Sequence, residues 1–90
     1  MAQPPLDLLD EGDRLILEIA VPGVLESDID LTLQGTRLIL SADRPASSGF
    51  FLHREIERGI LVRSLELPCA VRLLSSSFEG GILRIELMRA

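Results

Sequence analysis

The stretch Arg14-Leu15-Ile16-Leu17-Glu18-Ile19-Ala20-Val21-Pro22-Gly23 decides the fold. Leu15, Leu17, Ile19 and Val21 fall on one side of an extended chain, with Ile16, Glu18 and Ala20 on the other. A period of two marks a half-buried strand, because successive side chains of a pleated chain point to opposite faces. Pro22-Gly23 ends it: proline has no N–H to give to a ladder, and glycine permits the turn.

Downstream the same period recurs. Ile29, Leu31 and Leu33 alternate with Asp30, Thr32 and Gln34, and Gly35-Thr36 makes a tight reversal into a returning arm over 37–42. Residues 43–49 are turn-rich, with Pro45, Ser47, Ser48 and Gly49. The span 50–55 reads as a short strand that carries two of the three phenylalanines. Isolated between loop signals, it has no evident partner in its own sheet. Gly59 opens a further alternation, Leu61, Arg63, Leu65 and Leu67 against Ile60, Val62, Ser64 and Glu66, which Pro68 closes. Residues 71–78 and 82–87 give two more strands around a Gly80-Gly81 turn. The one helix-like start, at 24–29, is too short to stand alone. Six or seven short strands separated by turns predict an all-β fold, a sandwich of two antiparallel sheets.

Ninety residues suffice for one domain and not two. Apolar residues make up 47% of the chain but aromatics only 3%, so Leu and Ile supply the packing. The net charge is −5 and all nine basic residues are arginine. An acidic domain with no basic stripe is a poor match for nucleic acid, whose phosphates call for clustered cations. Arginine could fork onto carboxylates at interfaces, although genomic base composition accounts for the usage equally well. Cys69 is alone, which rules out an internal disulfide and suits a reducing, cytoplasmic setting. No apolar run approaches the roughly 20 residues of a membrane helix, so no membrane span is expected.

Catalytic chemistry finds no footing. A triad would need His53 beside an activated Ser or Cys and an orienting carboxylate. Its neighbour Glu55 and the distant Ser75, Ser76 and Ser77 are candidates in name only, and a solvated or interfacial histidine is the plain reading. There is no phosphate loop, no dinucleotide fingerprint and no spaced set of metal ligands. The chain is expected to be no enzyme and to hold no cofactor or metal. A small sandwich without a catalytic set acts through its surfaces or its sheet edges, which invite strand addition. The three aliphatics Ile29, Leu31 and Leu33, with Leu73 across the fold, serve either as core or as a groove for a peptide strand.

Several motifs, in order, resemble the small heat-shock protein family (the α-crystallin domain), in its bacterial form. Val21-Pro22-Gly23-Val24 followed by Ser27-Asp28-Ile29-Asp30-Leu31 is similar to its Leu-Pro-Gly-Val turn and acidic Asp-Ile. Gly35-Thr36-Arg37-Leu38-Ile39-Leu40-Ser41-Ala42-Asp43-Arg44 resembles the next hairpin, usually ending in Gly-Glu-Arg. His53-Arg54-Glu55-Ile56, Gly59-Ile60-Leu61-Val62-Arg63, Leu67-Pro68 and Gly81-Ile82-Leu83 follow in place. Leu61 stands for the usual Phe and Gly80 for a common Asn.

The resemblance implies a single immunoglobulin-like domain over 1–90. It further implies an ATP-independent holdase that binds unfolded client proteins and prevents their aggregation. The family's building block is a homodimer in which a strand of the long loop, here within 44–55, crosses to the partner's first strand. The interface would then use Leu6, Leu8, Phe50, Phe51, Leu52, His53 and Arg63, the last on a carboxylate across subunits; a plain surface arginine is the alternative. The groove would comprise Ile29, Leu31, Leu33, Leu73 and Ser75 and receive Ile-x-Ile tails of related subunits. The sequence, running from a very short lead before Leu6 to Ala90, reads as the core domain only. A CS-domain co-chaperone, a monomer with the same sandwich, or an unrelated interaction sandwich is the rival reading.

Overall fold

The computed structural model describes residues 3–46 and 48–90. Seven strands form two antiparallel sheets. One has the order β1 (Leu6–Asp10), β2 (Arg14–Ala20), β7 (Ile82–Arg89), β6 (Val71–Glu79). The other has the order β3 (Ile29–Gln34), β4 (Arg37–Arg44), β5 (Gly59–Glu66). The span read as a failed helix start holds a 3-10 turn at Glu26–Asp28.

The alternation of β2 places the core as expected. Leu15, Leu17 and Ile19 sit opposite Leu87, Ile85 and Leu83 of β7, and all six are buried. From the other sheet Leu38, Leu40 and Ala42 of β4 and Leu61 of β5 close the layer. Apart from Ala42 these side chains are branched aliphatics with few rotamers to lose, which lets a small domain fill its interior without aromatics. Ile16 departs from the simple pattern. It points to the outer face and is nonetheless buried, between its cross-strand neighbours Leu9 and Glu86.

Turns fix the registers. Gly80 and Gly81 both take positive φ, +59° and +80°, the primed geometry that matches strand twist in a two-residue hairpin. Gly81 is also pressed against the end of β2: a Cβ there would lie 2.9 Å from Pro22 Cα. Its carbonyl accepts the Val21 N–H at 2.7 Å. At the opposite end Arg89 ties the β1–β2 turn to the last strand. Its Nη2 lies 3.0 Å from Asp10 Oδ2 and its Nε donates to the Gly12 carbonyl. The Asp10 carboxyl is held below the ordinary carboxylate range, first by the Gly12 N–H it accepts and then by Arg89.

Two features differ from the sequence expectation. The short strand expected over 50–55 is not formed in the single chain; the segment runs irregularly with bends at Leu52 and His53. A strand needs an edge to pair with, and Arg44 opposite Gly59 is the last pair of the β4–β5 ladder. Strand β6 carries a bulge between Leu73 and Ser75, which changes the facing of everything beyond it.

Gly80→Ala is expected to cost about 1 kcal/mol for the positive φ alone. Gly81→Ala adds the collision with Pro22 and is expected to cost roughly 2–3 kcal/mol. Urea unfolding of both variants checks the difference. Because Asp10 titrates lower when folded, its stabilisation is present above the unfolded value and is lost as pH falls through the folded one. Asp10→Asn should flatten the acid limb of the stability profile below about pH 4, measured by urea midpoints from pH 7 to 3.

Candidate interaction edges

His53, the one histidine, sits exposed with its Nε2 2.8 Å from Glu55 Oε2, and neither a serine nor Cys69 joins them. No group of His, Cys, Asp or Glu among the described residues is placed to hold a metal. No helix among them is long and apolar enough to cross a membrane. What the molecule does offer is unpaired strand edges flanked by exposed apolar side chains.

The sandwich is arranged so that the edges come in two pairs. Arg63 of β5 donates from Nη1 to the Pro4 carbonyl at 3.2 Å, which puts β5 over the β1 side. Strand β3, at the other end of the same sheet, therefore lies toward the β6 side. Among the described residues each of β1, β3, β5 and β6 has a strand partner on one side only.

Along the β3–β6 side, Ile29, Leu31 and Leu33 are half-buried and pack against the core. The core reading of these three thus holds in part: they pack at its margin and stay partly open to solvent. On β6, Leu73 faces inward in register with Leu87 yet is 52% exposed. Beyond the bulge, Ser76 and Phe78 face inward, opposite Ile85 and Leu83. Ser75 does not. It is paired with Glu86 on the outer face and donates its Oγ proton toward Glu86 Oε2 at 3.3 Å. Of the five expected groove residues, Ile29, Leu31, Leu33 and Leu73 thus turn toward the interior of the sandwich and Ser75 turns away from it. Ser76 and Phe78 were missed, because a one-residue offset inside Leu-Leu-Ser-Ser-Ser leaves no trace in the hydropathy pattern.

At the β1–β5 side, Leu6 is half-buried opposite Ile19, while Leu8, inward-facing opposite Leu17, is 37% exposed. Arg63 shares the inward face of β5 with Leu61 and Leu65, as their partners Leu40, Ala42 and Leu38 require. It is half-buried, and among the described residues it forms no ion pair; the Pro4 carbonyl is its one hydrogen-bond acceptor. Its remaining N–H groups reach solvent, since among the described residues no buried side-chain nitrogen or oxygen lacks a partner.

The β4–β5 loop holds the remaining expected residues. Phe50 and Leu52 are 94% and 95% exposed, and Phe51 is 42% exposed beneath the Arg54 guanidinium. Arg44 anchors the loop base, donating from Nε to the Pro22 carbonyl at 2.8 Å and from Nη1 to the Glu57 carbonyl at 3.0 Å. Arg58 closes it by donating to the Pro45 carbonyl. Among the described residues no hydrogen bond joins residues 50–53 to β1 of the same chain.

The family model of the Hsp20/alpha crystallin family matches residues 7–90. A small heat shock protein of Klebsiella pneumoniae (strain 342), IbpB, is 26% identical over 89 residues, which is 96% of this chain. The chain spans 63% of that relative's length. Among solved structures, HSP18.5 from E. histolytica matches with a TM-score of 0.85 at 26% identity, covering 99% of this chain and 89% of that one. The hspA protein of Xanthomonas axonopodis has the same fold, with a TM-score of 0.85 over 99% of this chain and 95% of that one, at 21% identity.

Arg63→Met removes a charge that has one neutral acceptor and keeps the apolar stem. The unfolding free energy of the single chain is expected to change by no more than about 1 kcal/mol. Urea unfolding at low protein concentration tests this.

Proposed function

The chain belongs to the Hsp20/alpha crystallin family, and from that premise we propose that it is the ATP-independent holding core of a small heat-shock chaperone. Family membership supports a chaperone role in general terms; the holding mechanism is the reading advanced here. The observation that carries it is the combination of one-sided strand edges with exposed aliphatics beside them, Leu73 on β6 and Leu8 on β1. A client segment released by stress has lost its burial and its backbone partners together. An open edge supplies hydrogen bonds, and the adjacent side chains remove apolar area from water.

The same physics accounts for self-association. A homodimer in which residues 50–53 of one chain extend along β1 of the other would cover Phe50, Leu52 and Leu8 and leave β1 no longer an edge. Arg63, near that edge and lacking a carboxylate, would gain one from the partner subunit. The cleft of Ile29, Leu31, Leu33, Leu73 and Phe78 would accept an Ile-x-Ile tail of a related subunit, with Ser75 outside it. A cytoplasmic setting accords with a lone thiol that serves no disulfide framework. The rival reading is a monomeric CS-domain co-chaperone.

Light scattering coupled to size exclusion at tens of micromolar should give twice the chain mass. Deleting residues 50–53 should return it to once the chain mass; a parent chain found as a monomer favours the co-chaperone. An Ile-x-Ile peptide should shift NMR resonances around Leu31 and Leu73. Leu73→Ser should weaken that binding roughly fivefold, while Ser75→Ala leaves it unchanged. Suppression of a heated client's turbidity should not depend on ATP; a requirement for ATP would refute the holding mechanism.

A further inference from the structure

The segment assigned above to the partner's β1 cannot become a strand and keep the contacts it has here. In an extended chain residues i and i+3 point to opposite faces, with Cα atoms about 10 Å apart. Arg54 and Phe51 stand in that relation, yet the Arg54 Cζ lies 5.0 Å from the Phe51 ring centroid. The bends at Leu52 and His53 bring them together. Phe51 is less than half as exposed as its neighbours Phe50 and Leu52, in keeping with a guanidinium lying on its ring. The other contact inside the segment behaves differently. His53 and Glu55 are two residues apart, so they share a face in a strand and their 2.8 Å pair survives extension.

We infer that the stacking of Arg54 on Phe51 is an intrachain latch that holds the β4–β5 loop in its bent form and opposes exchange of residues 50–53 between subunits. This rests on the strand-exchange reading of the dimer. Both loops must open for a symmetric exchange, so the latch acts twice in each dimer. An exposed cation–π contact shifts an equilibrium by roughly twofold to fivefold, hence the pair by about fivefold to thirtyfold. The loop base does not have to change. Arg44 and Arg58 hold backbone carbonyls outside residues 50–53, so opening is confined to the tip.

The test compares the full chain with Arg54→Gln and, as a control, Glu55→Gln, which removes the His53 pair but leaves the latch. At concentrations where the chain is monomeric, Arg54→Gln should move the Cα and Cβ chemical shifts of residues 50–53 toward extended values. Sedimentation equilibrium should show the dimer about fivefold to thirtyfold tighter for Arg54→Gln, although the variant makes an acidic chain more negative. Glu55→Gln should stay within about twofold of the parent. Dimers that need residues 50–53 but are no tighter with Arg54→Gln would overturn the latch alone. A chain monomeric in every variant would overturn the exchange reading and the latch's role together.

Discussion

Among the described residues β1, β3, β5 and β6 have a strand partner on one side only, and the proposed function rests on that. A sandwich of four strands on three does not close into a barrel, so four edges remain. Each edge strand also turns side chains inward where the opposing sheet gives out. That is why Leu8 and Leu73, which point toward the core, are partly in water. Backbone donors and apolar surface are therefore left open side by side, which is the pair of things an unfolded segment lacks.

Holding the sheets in place falls to features that leave those edges alone. The centre is the β2–β7 ladder, where six aliphatics meet in register. The Gly80-Gly81 hairpin seats against Pro22 and sets where β7 begins relative to the end of β2. Four of the nine arginines act on the backbone. Arg44, Arg58, Arg63 and Arg89 donate to carbonyls of turns and chain ends, and Arg44 spans two of them with its fork. An ammonium could not reach two carbonyls in fixed geometry, so arginine serves here as a staple between loops. Among the described residues arginine–carboxylate pairs lie at the surface, at Arg14 and Arg84 with Glu86 and at Arg89 with Asp10.

The loop between β4 and β5 belongs to a different regime. It is tied at its base and exposed at its tip, with two apolar side chains almost wholly in water. Its local contacts run between residues two and three apart, which a flexible segment makes at little entropic cost. Local contacts of that kind define a conformation only until a stronger partner offers a ladder.

By itself the sequence determined strands β2 to β7 and which face of most of them is buried, but neither β1 nor the irregular course of 50–55. Alternation over 14–21, 29–34 and 59–67 is a local property, and Pro22, Gly35 and Gly80-Gly81 punctuate it wherever they occur. The sandwich followed from that order, and the family resemblance from the motifs at 21–31, 35–44, 53–68 and 81–83. Three things were decided only in three dimensions. The bulge in β6 turned Ser75 outward and Phe78 inward, because the offset depends on the ladder with β7 and five consecutive leucines and serines fit either register. Arg63 found the Pro4 carbonyl, a neighbour fifty-nine positions away that no local pattern names. Residues 50–53, strand-like in composition, stayed bent, because a strand exists only beside another and no described strand of this chain pairs with them.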